Sequence, residues 1–206
     1  MNSTCKLAAL TLTTLLLASP AHAQAVIRGG VLEAQAAYGR KDYAAAVAAA
    51  SRVLASRPRD PIALAWRAAA QVELGDYRRA IADYDASLAL APGSANALAS
   101  ACWARALAGV ELERARALCD RAVAGGPSPT AHDTRGFLRL RQGQHALAVA
   151  DYDAALGLQS GLATALYGRG VAKQKLGRDG RADIVAATKR DADIAATFAR
   201  RGVPAR

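Results

Sequence analysis

Three arginines stand in one register along this 206-residue chain: Arg67, Arg135 and Arg169, 68 and 34 residues apart. A guanidinium offers a planar fork of N–H donors that fits a carboxylate or phosphate with two parallel bonds. The row therefore either binds an anionic ligand or pairs with carboxylates of the chain itself. Asp83 and Asp85 recur as Asp151 and Asp153 at the same 68-residue offset, and Asp183 is also available, which favours internal pairing. Two cysteines, Cys102 and Cys119, lie 17 residues apart. They form either a disulfide, which an oxidising compartment permits, or two small buried thiols that fill core positions.

Other groups able to do chemistry are few. Beyond residue 23 the histidines are His132 and His145, and no metal-ligand spacing joins them. In the pairs Asp83/Asp85 and Asp151/Asp153 a spacing of two splays the carboxylates across a helix surface, so neither is a good metal pair. The sequence holds no phosphate-binding loop, dinucleotide fingerprint or nucleophile elbow. Gly168-Arg169-Gly170 sits inside a helical pattern and reads as close helix packing. The expectation is a protein that is not an enzyme and uses neither cofactor nor metal.

The elements that carry these residues repeat. Ala82-Asp-Tyr-Asp-Ala-Ser-Leu-Ala-Leu90 returns as Ala150-Asp-Tyr-Asp-Ala-Ala-Leu-Gly-Leu158, an offset of twice 34. Gly75, Gly109, Gly143 and Gly177 are spaced by 34 throughout, and Pro58, Pro92 and Pro127 by 34 and 35. A fixed period of this length marks stacked supersecondary units, each with an apolar face that it cannot bury alone. Within a unit, Asp60-Pro61 reads as a helix start, Gly75 as a left-handed helix end, and Pro92-Gly93 as a stop. Ala80, Ile81, Tyr84 and Leu88 mark one helical face. Helix pairs are expected over residues 27–60, 61–94, 95–128, 129–162 and 163–190. A last helix over 191–201 is expected to cap the array, with Arg190, Asp191, Asp193, Arg200 and Arg201 turned to water.

Leu74-Gly75-Asp76-Tyr77, Ala80, Tyr84 and Pro92, with partial copies elsewhere, resemble tetratricopeptide (TPR) repeats. The resemblance implies an all-α fold: an α-solenoid, wound as a right-handed superhelix, of about five helix pairs plus the C-terminal helix. It also implies a concave groove, lined by the first helix of each pair, that binds peptides or extended protein segments. Helix register then places Trp66, Phe137, Arg141 and Tyr167 on the groove. The aromatics among them either anchor a partner or fill space between helices.

The N-terminus reads as a secretory signal. Lys6 is followed by an apolar run over residues 7–18, a Ser19-Pro20 break and the small-x-small site Ala21-His22-Ala23. Cleavage is expected after Ala23, leaving a repeat domain over 24–206 in the periplasm or outside the cell. The apolar run is shorter than the roughly 20 residues of a spanning helix, so no stable membrane span is expected. The formal charge is +10. Its arginines are scattered and form no run longer than a pair, so nucleic acid is not the expected partner. The leading functional expectation is a scaffold in the cell envelope that binds another protein or peptide segment. The alternatives are a self-associating structural protein and a basic module for anionic envelope polymers.

Overall fold

The computed structural model describes residues 20–203, which form eleven α-helices and no strand. The helices are α1 (Pro20–Gly39), α2 (Tyr43–Ser56), α3 (Pro61–Glu73), α4 (Tyr77–Leu90), α5 (Ala95–Ala108), α6 (Leu112–Ala124), α7 (Pro129–Arg141), α8 (His145–Leu158), α9 (Ala163–Lys175), α10 (Arg181–Arg190) and α11 (Ile194–Arg200). Lys6 and the apolar run of the expected signal lie outside the described residues; the expected cleavage point after Ala23 falls within α1.

Local chemistry sets the helix ends. The side chains of Asp42, Asp60, Asp76, Ser94 and Ser128 each accept from a backbone N–H of the helix that follows. This satisfies donors that the first turn leaves without a partner. Gly75, Gly109, Gly143 and Gly177 take φ of +80°, +71°, +74° and +71° and turn the chain from the first helix of a pair to the second. In the first pair that position is Lys41, whose φ is +62°. A side chain there costs on the order of 1 kcal/mol.

Each helix packs antiparallel on the next, and the first helices of the pairs also touch one another (α1 on α3, α5 on α7, α7 on α9). The odd-numbered helices α1 to α9 thus share one layer, and the even-numbered helices α2 to α10 back it. A continuous core runs from Ala68 to Val203, whereas the first pair meets α3 through three small clusters, two of them built on alanine.

The arginine row is a set of ties across each pair. Arg67 on α3 binds Asp83 on α4 through two bonds of 2.7 and 2.8 Å. Arg135 on α7 binds Asp151 on α8 at 2.7 Å and reaches back to Asp120 on α6 at 3.0 Å. Arg169 on α9 binds Asp183 on α10 at 2.9 Å and Asp153 on α8 at 2.8 Å. A second row lies one turn later, at Arg105, Arg139 and Lys173. Arg139 joins Asp151 and Lys173 joins Asp183, both at 2.7 Å. Arg105 is fully buried and binds Asp85 at 2.8 Å and Glu111 at 3.0 Å.

The third pair lacks the main tie, because Ala101 and Ala117 take the register of Arg67 and Asp83. There Cys102 on α5 and Cys119 on α6 form a disulfide, with Cα atoms 5.5 Å apart. The covalent link stands where the neighbouring pairs have an ion pair.

Close approach fixes the fourth and fifth pairs. Tyr152 of α8 is completely buried between α7 and α9. A Cβ on Gly136 would lie 2.9 Å from its ring, and one on Gly168 would overlap it. The paired carboxylates and guanidiniums are largely shielded from solvent: the side chain of Asp151 is 3% exposed and that of Arg135 17%. Removing one partner of such a pair costs more than the pair contributes, since the other charge loses its solvation and its bonds together. Arg135→Ala, with Arg139 still on Asp151, is expected to lower stability by about 2 kcal/mol. A urea unfolding midpoint equal to that of the native chain would show that the tie contributes nothing.

Candidate functional site

The face formed by α1, α3, α5, α7 and α9 carries the groups a partner would meet. It divides into two halves. In the C-terminal half, Trp103, Phe137 and Val171 stand 34 residues apart, as do Asp133 and Tyr167, so one helical face repeats from α5 to α9. This half is covered by α11.

The sequence places a last helix at the end of the array with Arg190, Asp191, Asp193, Arg200 and Arg201 in water. Arg190, Asp191, Asp193 and Arg200 are exposed, but Arg201 is partly buried and the helix lies over a face of the array. Ile194, Phe198 and Val203 are all buried, and α11 lies against α9 and α10 on the odd-helix face. The Phe198 ring sits 4.7 Å from that of Tyr167 and 5.8 Å from that of Phe137, centroid to centroid. Arg201 places its guanidinium 4.8 Å above the centre of the Trp103 ring, a cation–π contact. The reason is the apolar content of the segment. Ile194 and Phe198 are four apart and share one face, and burying them outweighs exposing them on an end cap.

Beside Arg201 lies Asp133 of α7. Thr164 of α9 donates its hydroxyl to Asp133 Oδ2 at 2.7 Å. Burial pushes the Asp133 carboxyl up to about 6; the Thr164 bond and the Arg201 charge hold it from going higher. Burial likewise lowers the Arg201 guanidinium, against the attraction of Glu73 and Asp133.

The N-terminal half is open. A cleft of about 330 Å³ lies between α3, α4 and α5, lined by Ile62, Trp66, Ala69, Tyr84, Asn96 and Ser100. Trp66 is half-buried and tilts against Tyr38 of α1 at 5.6 Å. Tyr38 shares its hydroxyl with Glu73 at 3.5 Å, and burial foremost, then the Glu73 charge, raises it to about 12.

The four residues expected on a groove therefore separate. Trp66 lines the open cleft. Phe137 and Tyr167 lie on the same helix layer, but 1% and 2% exposed beneath Phe198, so a partner does not reach them while α11 is seated. Arg141 is exposed, and its guanidinium donates to the carbonyls of Leu107, at 2.9 Å, and Ala106 at the end of α5. A cation there meets the negative end of the helix dipole, so Arg141 fastens α7 to α5. Sequence reasoning missed Trp103, although its 34-residue spacing from Phe137 was available to mark it.

The tetratricopeptide repeat family model matches residues 31–95 and 70–130. The chain belongs to the tetratricopeptide repeat family. Several solved structures share its fold. TTC0263, a thermophilic TPR protein of Thermus thermophilus, superposes with a TM-score of 0.70 at 23% identity, covering 87% of this chain and 98% of that one. PilW, a type IV pilus biogenesis factor, gives 0.69 at 22% identity, covering 86% and 79%. MamA of Desulfovibrio magneticus RS-1 gives 0.60 at 18% identity, covering 82% and 93%. A search of curated protein sequences returned no significant match. Tetratricopeptide repeats are in general non-catalytic scaffolds for protein–protein interaction.

The Asp133 carboxyl has a consequence for stability. Native Asp133 keeps its proton at a pH where the unfolded carboxyl, near 3.8, has lost it. Its contribution is therefore most favourable in acid and declines as pH rises through about 6. The urea midpoint is expected to fall between about pH 4.5 and pH 7, and Asp133→Asn is expected to flatten that slope. An unchanged slope in the variant would contradict the assignment.

Proposed function

We propose that the chain is an exported, non-catalytic scaffold that holds an extended segment of another protein in the open half of its concave face. One observation carries this reading: a largely apolar cleft with a tryptophan at its wall and Ile62, 57% exposed, beside it. Asn96 and Ser100 stand on the other wall. A cleft of this kind buries one or two apolar side chains of a partner while its amide and hydroxyl groups bond the partner's backbone. Binding of this type needs no chemistry beyond desolvation and hydrogen bonds.

The cleft reading is tested by affinity capture from envelope extract with three baits: the native chain, Trp66→Ala, and Leu147→Ala, which alters an exposed leucine on α8. A protein retained by the native and Leu147→Ala chains is expected to be reduced at least about tenfold on Trp66→Ala, as befits a hot-spot aromatic. Equal retention on all three baits would place binding elsewhere.

Export rests on Lys6, the apolar run over 7–18 and the Ala21-His22-Ala23 site. An exported chain also meets the oxidising conditions under which Cys102 and Cys119 stay bonded. Intact mass and non-reducing peptide mapping of the protein from its native host are expected to show a chain that starts at Gln24, with residues 102 and 119 in one linked peptide pair. A chain that retains Met1, or two alkylatable thiols, would overturn this reading.

A further inference from the structure

We propose that α11 is an exchangeable occupant of the concave face, and that the segment which replaces it brings an aliphatic residue, an aromatic four positions on and a cation three positions further. This rests on the groove reading above and adds the chemistry of the partner. The chain's own C-terminus supplies the pattern as Ile194, Phe198 and Arg201.

The seat and its occupant match group by group. Phe198 enters between Phe137 and Tyr167. Arg201 covers Trp103 and faces Asp133, with Thr164 holding the carboxylate in place. The charges around Arg201 are those of Glu73 and Asp133 in attraction and Arg200 in repulsion. This is a site for a cationic side chain stacked on an indole, whichever chain delivers it.

Three features make α11 exchangeable. It has seven residues, too few to hold a helix without its seat. A three-residue turn of exposed Asp191, Ala192 and Asp193 joins it to α10, so it can leave its seat while still tethered. Its outer side is Ala195, Ala196, Ala199 and Arg200, all exposed, so none of the described residues locks it from above.

A tethered helix competes at a high effective concentration, on the order of millimolar for a short linker. A partner must therefore gain contacts that α11 lacks. Such contacts are adjacent. Ser100 lines both the open Trp66 cleft and the small cavity under Arg201, so one segment can run from the α11 seat into that cleft. The native helix stops short of it.

Two measurements test the proposal. In native-state hydrogen exchange of the full chain, the α11 amides are expected to exchange at least about a hundredfold faster than those of α9, through local opening. Exchange as slow as in α9 would make α11 a permanent part of the core and overturn the proposal, without touching the Trp66 cleft. In the second, a fluorescent synthetic peptide of residues 191–203 is titrated into the native chain and into full-length Phe198→Ala. The variant is expected to bind at least about tenfold more tightly than the native chain, because its own helix competes less well. A peptide carrying the same Phe198→Ala change is expected to lose that gain. Equal binding to both chains, with the variant still folded by circular dichroism, would overturn the proposal. If the variant does not fold, full-length Ile194→Ala takes its place in the same titration.

Discussion

The structure depends on one recurring interaction: a carboxylate on the second helix of a pair, desolvated and gripped by cations from the first. Asp83, Asp151 and Asp183 each occupy this place, and each meets a guanidinium at its own pair's interface. A charge pair of this kind is not a strong source of net stability, because desolvation cancels much of the attraction. It is a strong source of register. A helix that slid by one residue would leave a buried carboxylate without a partner, which costs far more than the pair contributes. Cores built mostly of alanine need such a constraint, since small smooth side chains interlock poorly and tolerate sliding. The third pair, where the register positions hold Ala101 and Ala117, meets the same need with a covalent bond.

The ties also connect neighbouring pairs. Asp120 reaches Arg135, Asp153 reaches Arg169, and Asp85 reaches both Arg105 and Arg114. The angle between successive units, and so the shape of the face they present, is set partly by these inter-pair bonds. Arg67, Arg105, Arg135, Arg139 and Arg169 are thus engaged inside the array, where they pair with the chain's own carboxylates.

Much of this was legible in the sequence, because it depends on local and periodic information. Gly75, Gly109, Gly143 and Gly177 located the turns, and Arg67, Arg135 and Arg169 with their aspartates predicted the ties. The second tie row was missed because Lys173 breaks its identity with Arg105 and Arg139. Lys41 escaped notice because a side chain at a left-handed turn position carries no signal in the letters. The groove was legible as a face but not as an open or covered one. Trp66 lines an open cleft, while Phe137 and Tyr167 are hidden beneath Phe198. No period predicts a contact between residues so far apart. The destination of α11 is a tertiary fact: Ile194 and Phe198 announce an apolar face, and only the assembled array shows what it lies on.

That helix also changes how the array behaves as a folding unit. A repeat solenoid is nearly one-dimensional, because each unit touches only its neighbours and either end can melt alone. Phe198 and Arg201 break that rule by returning to α7 and α5, which closes a long loop of chain. While α11 is seated, these contacts tie the third, fourth and fifth pairs to one another directly, and contacts so far apart in sequence form late in assembly. Among the described residues the first pair has no such closure and meets its neighbour through three small clusters. The molecule is thereby polarised, with a frayable N-terminal end and a clasped C-terminal one, and its open cleft lies where the two regimes meet.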